Sequence, residues 1–368
     1  MRAGTQARPY ICPTRLHRPY ICMAVGPLRM KENIRLGISS CLLGEKVRYD
    51  GGHKLDRFLT QTLGQFVEFV PVCPEVECGF PVPRESLHLV GDPESPRLIT
   101  THTRQDHTER MLQWARKRVK ELEKENLCGY IFKSDSPSSG MERVKVYNEQ
   151  GMPVKKGVGL FARVFMDHFP LLPVEDEGRL HDLKLRENFI ERIFVFKRWR
   201  DLLSRQVRRR RDFALSVFAE TSPEGGQGRV GAGKLVEFHT RHKMLILSHS
   251  PNHYRMMGKM VADVRKTPLE ELYGRYQVLL MEALRLKTTP KKNANVLLHA
   301  MGYFKQSLSA DEKQEFLEVL DGYRKEYLPL IVPITLINHY VRKYKQPYLR
   351  DQYYLHPHPL ELQLRNHV

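Results

Sequence analysis

No run of eighteen or more apolar residues occurs in the chain, so no segment of it is expected to cross a bilayer as a helix. Cysteine is scarce. The six thiols are Cys12, Cys22, Cys41, Cys73, Cys78 and Cys128. A chain of 368 residues does not need disulfides to fold, so these thiols point to a reducing compartment, the cytoplasm. Acid is also short, with 42 Asp and Glu against 60 Lys and Arg, a formal charge of +18. The shortfall is local. Residues 1–30 carry five Arg and no acid, residues 31–180 carry 22 basic and 22 acidic residues, and residues 181–368 carry 33 against 20. A neutral first half beside a basic second half suggests chemistry in the one and a polyanion, nucleic acid, as partner of the other. No internal repeat is evident. The apolar fraction of 41% suffices for two cores, and the length suits two domains.

Residues 1–30 do not match the rest. Arg-Pro-Tyr-Ile-Cys occurs at Arg8–Cys12 and again at Arg18–Cys22, without an amphipathic stripe. They read as a non-native or disordered extension, with Met30 the working start, and Cys12 and Cys22 are set aside as ligands. Residues 31–180 alternate strand-like and helix-like segments. Strands are expected at 34–40, 67–72 and 128–133, and at 171–174 as a last strand; helices are expected at 52–65, 106–125 and 158–169. This βαβαβ-like order predicts a Rossmann-like α/β domain with a parallel sheet, whose crevice lies beyond the carboxyl ends of its strands. Residues 181–234 read as a connecting helix, the run Arg208–Arg211, and a Gly-rich linker from Ser222 to Gly233. Residues 235–368 read as an all-α domain with helices at 235–247, 254–264, 269–286, 291–306, 310–326 and 331–344.

Each of the first three strands runs into a loop of reactive side chains. Cys41 follows the first, Cys73-Pro74-Glu75-Val76-Glu77-Cys78 the second, and Ser134-Asp135-Ser136-Pro137-Ser138-Ser139-Gly140 the third. Three thiolates converging from separate loops suit a metal or an iron–sulfur cluster; alternatively each is a small core residue. Glu75 is placed as an acid or base beside such a site, or as a solvated loop charge. Ser136, Ser138 and Ser139 are placed as hydrogen-bond donors to substrate, or as a turn around Pro137. Cys128 opens a strand and reads as core.

Gly228–Lys234 nearly spells a phosphate-binding loop, but Leu235 stands where Ser or Thr is needed, and no apolar strand precedes it. In the helical half, Thr289-Pro290-Lys291-Lys292 caps a helix and places two cations at its start, a grip for phosphate. The stretch Tyr340 to Arg350 interleaves aromatics with cations, as RNA-binding surfaces do, or as a core-facing tyrosine stripe with a solvated basic face does. His239, His242, His249 and His253 read as phosphate contacts or packing rather than a second metal site.

Ser40-Cys41-Leu42-Leu43-Gly44, Arg48-Tyr49-Asp50-Gly51, Pro71-Val72-Cys73-Pro74-Glu75 and Lys133–Gly140 resemble the thiouracil desulfidase (TudS) family over about residues 34–170. Phe238–Lys243, Thr289–Asn295 and Tyr348–Pro359 resemble the YbgA-type domain fused to it in the two-domain desulfidases called RudS. The resemblance implies a Rossmann-like domain holding a 4Fe–4S cluster on three cysteines with one iron open to the sulfur of a thiocarbonyl. For the fused form it implies 4-thiouridine in tRNA as substrate, converted to uridine with loss of sulfide. On that pattern Cys41 and Cys73 are ligands, Glu75 is the acid or base, and Ser136 positions substrate. The common Ser-Pro-Ser-Cys-Gly loop has Ser139 here in place of Cys, and Cys78 stands where the family has Gly. Cys78 is therefore expected to supply the third thiolate. Ser138, Ser139, Lys291, Lys292, Arg241 and Lys243 are expected to bind substrate. Desulfuration of a free thiobase and a non-catalytic metal-containing RNA-binding protein are the alternatives.

Overall fold

The computed structural model describes residues 34–216, 225–264 and 266–367. Two sheets and a helical region make up residues 31–368 as one compact unit. The extension 1–30 lies outside the described residues.

The first sheet holds β1 (Ile34–Ser39), β2 (Val67–Val72), β5 (Gly129–Phe132) and β8 (Val174–Asp176) in the order β2-β1-β5-β8, all parallel. The apolar run of β1 explains its central place. Ile34, Leu36 and Ile38 are fully buried, each contributing about 2 kcal/mol by leaving water. Helices cover both faces. α2 (Thr108–Glu123) packs against α3 (Leu160–His168), whose Phe161 and Phe165 meet Tyr130 and Phe132 of β5 edge-on or tilted. The alternate residue, Gly129, faces α4 (Leu183–Ser216). A Cβ there would lie 2.8 Å from Ile193, so only glycine permits this approach.

The second sheet was not foreseen. β3 (Leu87–Val90), β4 (Arg97–Thr100), β6 (Val144–Tyr147) and β7 (Pro153–Gly157) pair in the order β4-β3-β6-β7. Leu89, Leu98, Val144 and Val146 give it a small core of its own with Phe80, Met111 and Leu160. The expected helix at 52–65 is present only as short turns over Phe58–Gln65. The backbone N–H groups of Lys54 and Asp56 are spent on Cys41 O and Leu42 O, at 2.9 and 3.0 Å, and so strap the Cys41 turn instead.

The second half is helical: α5 (Gly225–His249), α6 (Pro251–Ala262), α7 (Leu269–Arg285), α8 (Pro290–Gly302), α9 (Ala310–Arg324), α10 (Ile331–Lys343) and the single turn α11 (Pro347–Arg350). The linker reading of 222–233 is corrected from Gly225 onward, because α5 starts there and takes in the stretch that mimics a phosphate loop. Buried Ala232 and Leu235, and Tyr273 Oη donating to Gly231 O at 3.0 Å, outweigh the weak helix propensity of glycine. α4 is apolar on most sides where it passes Phe189, Ile190, Ile193, Phe194, Val195 and Trp199, and it joins both halves in one hydrophobic cluster.

Candidate active site

β2, β1 and β5 are neighbours and parallel, so the segments that follow them emerge side by side at one sheet edge. Ser39 Oγ accepts from Lys133 N at 3.0 Å and ties the ends of β1 and β5. After Ser39 a single turn, Ser40–Leu43, buries Cys41 and closes at Gly44, whose φ of 95° requires glycine. After β2, Cys73 opens the four-residue turn Pro74–Glu77, α1. Cys73 N donates to Glu77 Oε1 at 3.0 Å and fixes that turn.

The charge of Cys73 acts on Cys41. Burial pushes Cys41 up to about 11, the neighbouring Cys73 and Glu177 add to the rise, and Lys133 and Arg48 oppose it. Cys73 is also raised, first by burial and then by Glu75; the Val76 N–H and Arg84 oppose this. An apolar pocket thus resists bare thiolates, while flanking cations favour them.

Glu75 is gripped at both oxygens. Ser138 Oγ donates to Oε1 at 2.9 Å, and Arg84 Nη2 pairs with Oε2. Arg84 is almost wholly buried and donates from Nη1 to Val47 O at 3.0 Å, the carbonyl that lies 4.0 Å from Cys73 Sγ. Ser136 Oγ is 3.0 Å from Ser138 Oγ and accepts from Ser139 N at 3.1 Å. Ser138 and Ser139 are buried. Lys133 Nζ is held by Ser134 O at 2.9 Å and by Glu177. The structure therefore brings Cys41, Cys73, Glu75, Ser136 and Ser138 to one edge, and adds Arg84 and Lys133, which sequence reading did not single out. Arg84 follows the Cys73 loop by only a few residues, and an arginine so near a candidate carboxylate was the available signal.

Cys78 does not join them. It ends α1 with its Sγ 3.6 Å from Arg110 O, packed among Phe80, Leu89, Met111 and Leu160 in the second sheet's core. Arg110 Nε donates to Cys78 O at 3.0 Å and its guanidinium lies 4.6 Å over the Phe80 ring. The expectation that Cys78 supplies a third thiolate is corrected on that ground. Of the three thiols expected to hold a cluster, the structure gathers Cys41 and Cys73 at this edge. Cys128 is buried core, its thiol near Asn126 O.

In the helical half, Lys292 is held by two carbonyls of the fold. Its Nζ donates to His249 O at 2.7 Å, at the end of α5, and to Lys287 O at 3.0 Å, just past the end of α7. Thr289 caps α8 by accepting from Lys292 N, and Lys291 is exposed beside it. Lys243 Nζ lies 4.9 Å over the Tyr348 ring, which stacks on exposed Tyr303 with centroids 4.8 Å apart. Arg241 lies 5.8 Å over Tyr353 and lines a cavity of about 260 Å³ with Glu237, Thr240, Tyr348, Asp351 and Gln352. Farther on, Tyr340 is core, and Lys343 and Tyr344 are bound to Glu312 at 2.7 Å each, so this part of the stripe is structural.

The four histidines do not form one site. His239 meets Tyr276 Oη, His242 donates to Phe238 O, and His253 meets Ser250 Oγ. His249 instead joins a buried network that sequence reading missed. Its Nε2 is 3.1 Å from Glu191 Oε2, while Arg365 bonds Glu191 at 2.7 Å and Glu187 at 3.1 Å. Glu187, Glu191 and His358 each offer a ligand atom within 4.8 Å of the others, and no other such trio occurs among the described residues. Two carboxylates four apart in an apolar stretch of α4 were its signal.

The comparisons with known proteins divide at the same place as the fold. A family model for 2-thiouracil desulfurase matches residues 36–177, and a model for a protein of unknown function, DUF1722, matches residues 243–359. The uncharacterized protein YbgA of Escherichia coli (strain K12) is 33% identical over 135 residues, 36% of this chain and 80% of YbgA. The uncharacterized protein YbbK of Bacillus subtilis (strain 168) is 32% identical over 108 residues, 28% of this chain and 71% of YbbK. The solved structure of a 4Fe–4S-dependent thiouracil desulfidase, TudS, is 26% identical, with a TM-score of 0.34, covering 42% of this chain and 97% of that one.

Proposed function

Since the chain belongs to the 2-thiouracil desulfurase family through residues 36–177, we propose that it is a desulfidase acting on a thiolated uracil carried in tRNA, most simply 4-thiouridine, which it converts to uridine. One observation carries the reading: a carboxylate, Glu75, clamped between Ser138 and Arg84, stands at the same sheet edge as the thiols Cys41 and Cys73.

Soft thiolates in a buried pocket suit an iron–sulfur centre, and Cys41 and Cys73 are the residues that hold it in this proposal. When bound, that centre supplies a Lewis acid for sulfur. The chain's own groups do the rest. Ser138 and Arg84 leave Glu75 one orientation, from which it takes a proton from the attacking water. The carbon gains the water's oxygen, and its sulfur departs as sulfide. Ser136 and Ser138, hydrogen-bonded to one another and to Glu75, orient the pyrimidine and pass the proton onward.

The basic excess of residues 181–368 supports a polyanionic substrate. Exposed Lys291 and the Lys243, Tyr303 and Tyr348 cluster supply cations and a stacking face for RNA. Such a surface grips the backbone while the thiolated base is turned out toward Cys41 and Cys73.

The test is incubation of anaerobically purified protein with tRNA containing 4-thiouridine and, separately, with free thiouracil, following sulfide and the modified nucleoside. Sulfide and uridine from tRNA support the reading. Release from the free base alone rejects the tRNA assignment, and release from neither rejects desulfuration.

A further inference from the structure

We propose that Glu187, Glu191 and His358 form a buried site for a divalent cation of the zinc type, which fastens the segment around residue 358 to α4. The site shares no residue with the sheet edge that carries Cys41 and Cys73, and the inference does not depend on the desulfidase reading.

Glu187 and Glu191 stand four apart on α4, so both carboxylates project from one face of the helix. Arg198, farther along α4, donates from Nη2 to Pro357 O at 2.7 Å and so brings His358 to the same place. One ligand atom from each of the three residues lies within 4.8 Å of the others. Zinc holds nitrogen and oxygen donors at about 2.0–2.2 Å, so closing the trio on one ion takes side-chain movement of about 1 Å.

His358 points to a ligand. It is 3% exposed, its Nδ1 lies 3.1 Å from Pro359 O, and its Nε2 is buried without a hydrogen-bond partner among the described residues. A carbonyl only accepts, so Nδ1 carries the hydrogen and Nε2 presents a lone pair. Burial keeps the ring neutral by pushing its pKa down to about 4. A neutral imidazole whose other nitrogen is fixed on a backbone carbonyl is the form that ligates metals. A buried acceptor without a donor is unfavourable, and a cation supplies what Nε2 lacks.

The neighbours of the carboxylates leave them capacity to coordinate. Arg365 donates to Oε1 of each, and His249 Nε2 lies 3.1 Å from Glu191 Oε2. A carboxylate has about four lone-pair sites, and partners of this kind orient ligands in metal sites. Burial holds a proton on Glu187 up to about pH 8, and the cation takes its place. Arg365 leaves the loaded site with an excess positive charge, so its affinity should fall short of that of thiolate sites. The choice of cation follows from burial. Magnesium and calcium take about six or more ligands, several of them waters, whereas zinc is satisfied by about four and accepts imidazole.

The experiment is zinc titration of the chelator-treated full-length chain carrying Cys41→Ala and Cys73→Ala, which removes the thiols of the sheet edge, read by metal analysis and by the thermal midpoint. One zinc per chain and a rise of about 3 °C or more at saturation are expected, with no rise from magnesium. Cobalt in place of zinc is expected to show weak ligand-field bands without thiolate charge transfer. His358→Gln and Glu187→Gln, each in that background, are expected to weaken zinc binding about 100-fold or more. Glu187→Gln still offers an oxygen to Arg365, so it keeps the inference testable should circular dichroism show His358→Gln unfolded. Failure to bind stoichiometric zinc, an equal rise with magnesium, thiolate charge transfer from bound cobalt, or undiminished zinc affinity in folded Glu187→Gln each overturns the inference. None of these outcomes bears on desulfuration, which is judged by sulfide release.

Discussion

Glu75 Oε1 accepts a hydrogen bond from Ser138 Oγ at 2.9 Å across sixty-three positions of sequence. The bond joins the segments after β2 and β5, on either side of the Cys41 turn. Because Arg84 takes the other oxygen, the carboxylate is held in one orientation beside Cys73. Its removal should therefore damage chemistry more than assembly. Glu75→Gln is expected to keep the iron content and fold of the parent while lowering kcat by about 10²-fold or more, the usual share of a positioned base. Single-turnover desulfuration, read beside iron analysis, checks this; parental turnover in Glu75→Gln removes Glu75 from the mechanism.

Arg84 has a structural duty that Glu75 alone does not explain. Its guanidinium bonds Glu75, Val47 O and Pro81 O, and so holds the 47–50 loop against the Cys73 turn. Arg84→Ala leaves a half-buried carboxylate without its partner and is expected to cost about 3 kcal/mol, read from the denaturant midpoint. Arg84→Lys keeps the charge but not the fork, and should recover only part of that loss.

The pattern that exposed the first sheet was an apolar run ending in a polar loop, and β1, β2 and β5 each have it. The second sheet lacked such a signal, because its strands are four or five residues long and β7 is largely exposed. Alternation at Val144–Tyr147, with Val144 and Val146 buried, was its clearest trace. The Cys78 error has a geometric cause. Cys73 and Cys78 look like a ligand pair in sequence, yet they stand at opposite ends of the turn Pro74–Glu77, and the far end delivers Cys78 into the second sheet's core. The Lys291–Lys292 pair misled differently. Adjacent lysines point apart on a helix, and a neighbouring helix end claimed the second of them.

That division of labour is measurable. Lys291→Ala is expected to weaken tRNA binding and to lower the slope of log affinity against log salt by about 1, with stability unchanged. Lys292→Ala is expected to leave the salt slope alone and to cost about 1 kcal/mol of stability through the two carbonyls it abandons. Equal effects of the two substitutions on binding would reject the distinction.

The network around Arg365 makes the last prediction, on pH. Burial raises Glu187 well above the usual carboxylate range, and the charge of Glu191 adds to the rise. Burial alone would raise Glu191 too, but the His249 hydrogen bond and Arg365 override it and hold Glu191 low. The two carboxylates therefore act on stability in opposite directions. Glu187 binds its proton more tightly folded than unfolded, so its contribution is complete below the ordinary glutamate range and is lost as pH rises toward about 8. The contribution of Glu191 is present above the ordinary range and is lost only as pH falls toward about 2. Of the two carboxylates, only Glu187 changes its effect between pH 5 and 8.5, and the histidines lowered by burial contribute to the parent and to Glu187→Gln alike. Glu187→Gln carries no titrating group there and still offers an oxygen to Arg365. Denaturant midpoints for the parent should fall relative to Glu187→Gln as pH is raised across that window. Parallel pH profiles for the two proteins would show that Glu187 is ionised in the fold throughout. Glu191→Ala, in contrast, strands Arg365 and His249 in the interior and is expected to cost about 3 kcal/mol or more near neutral pH.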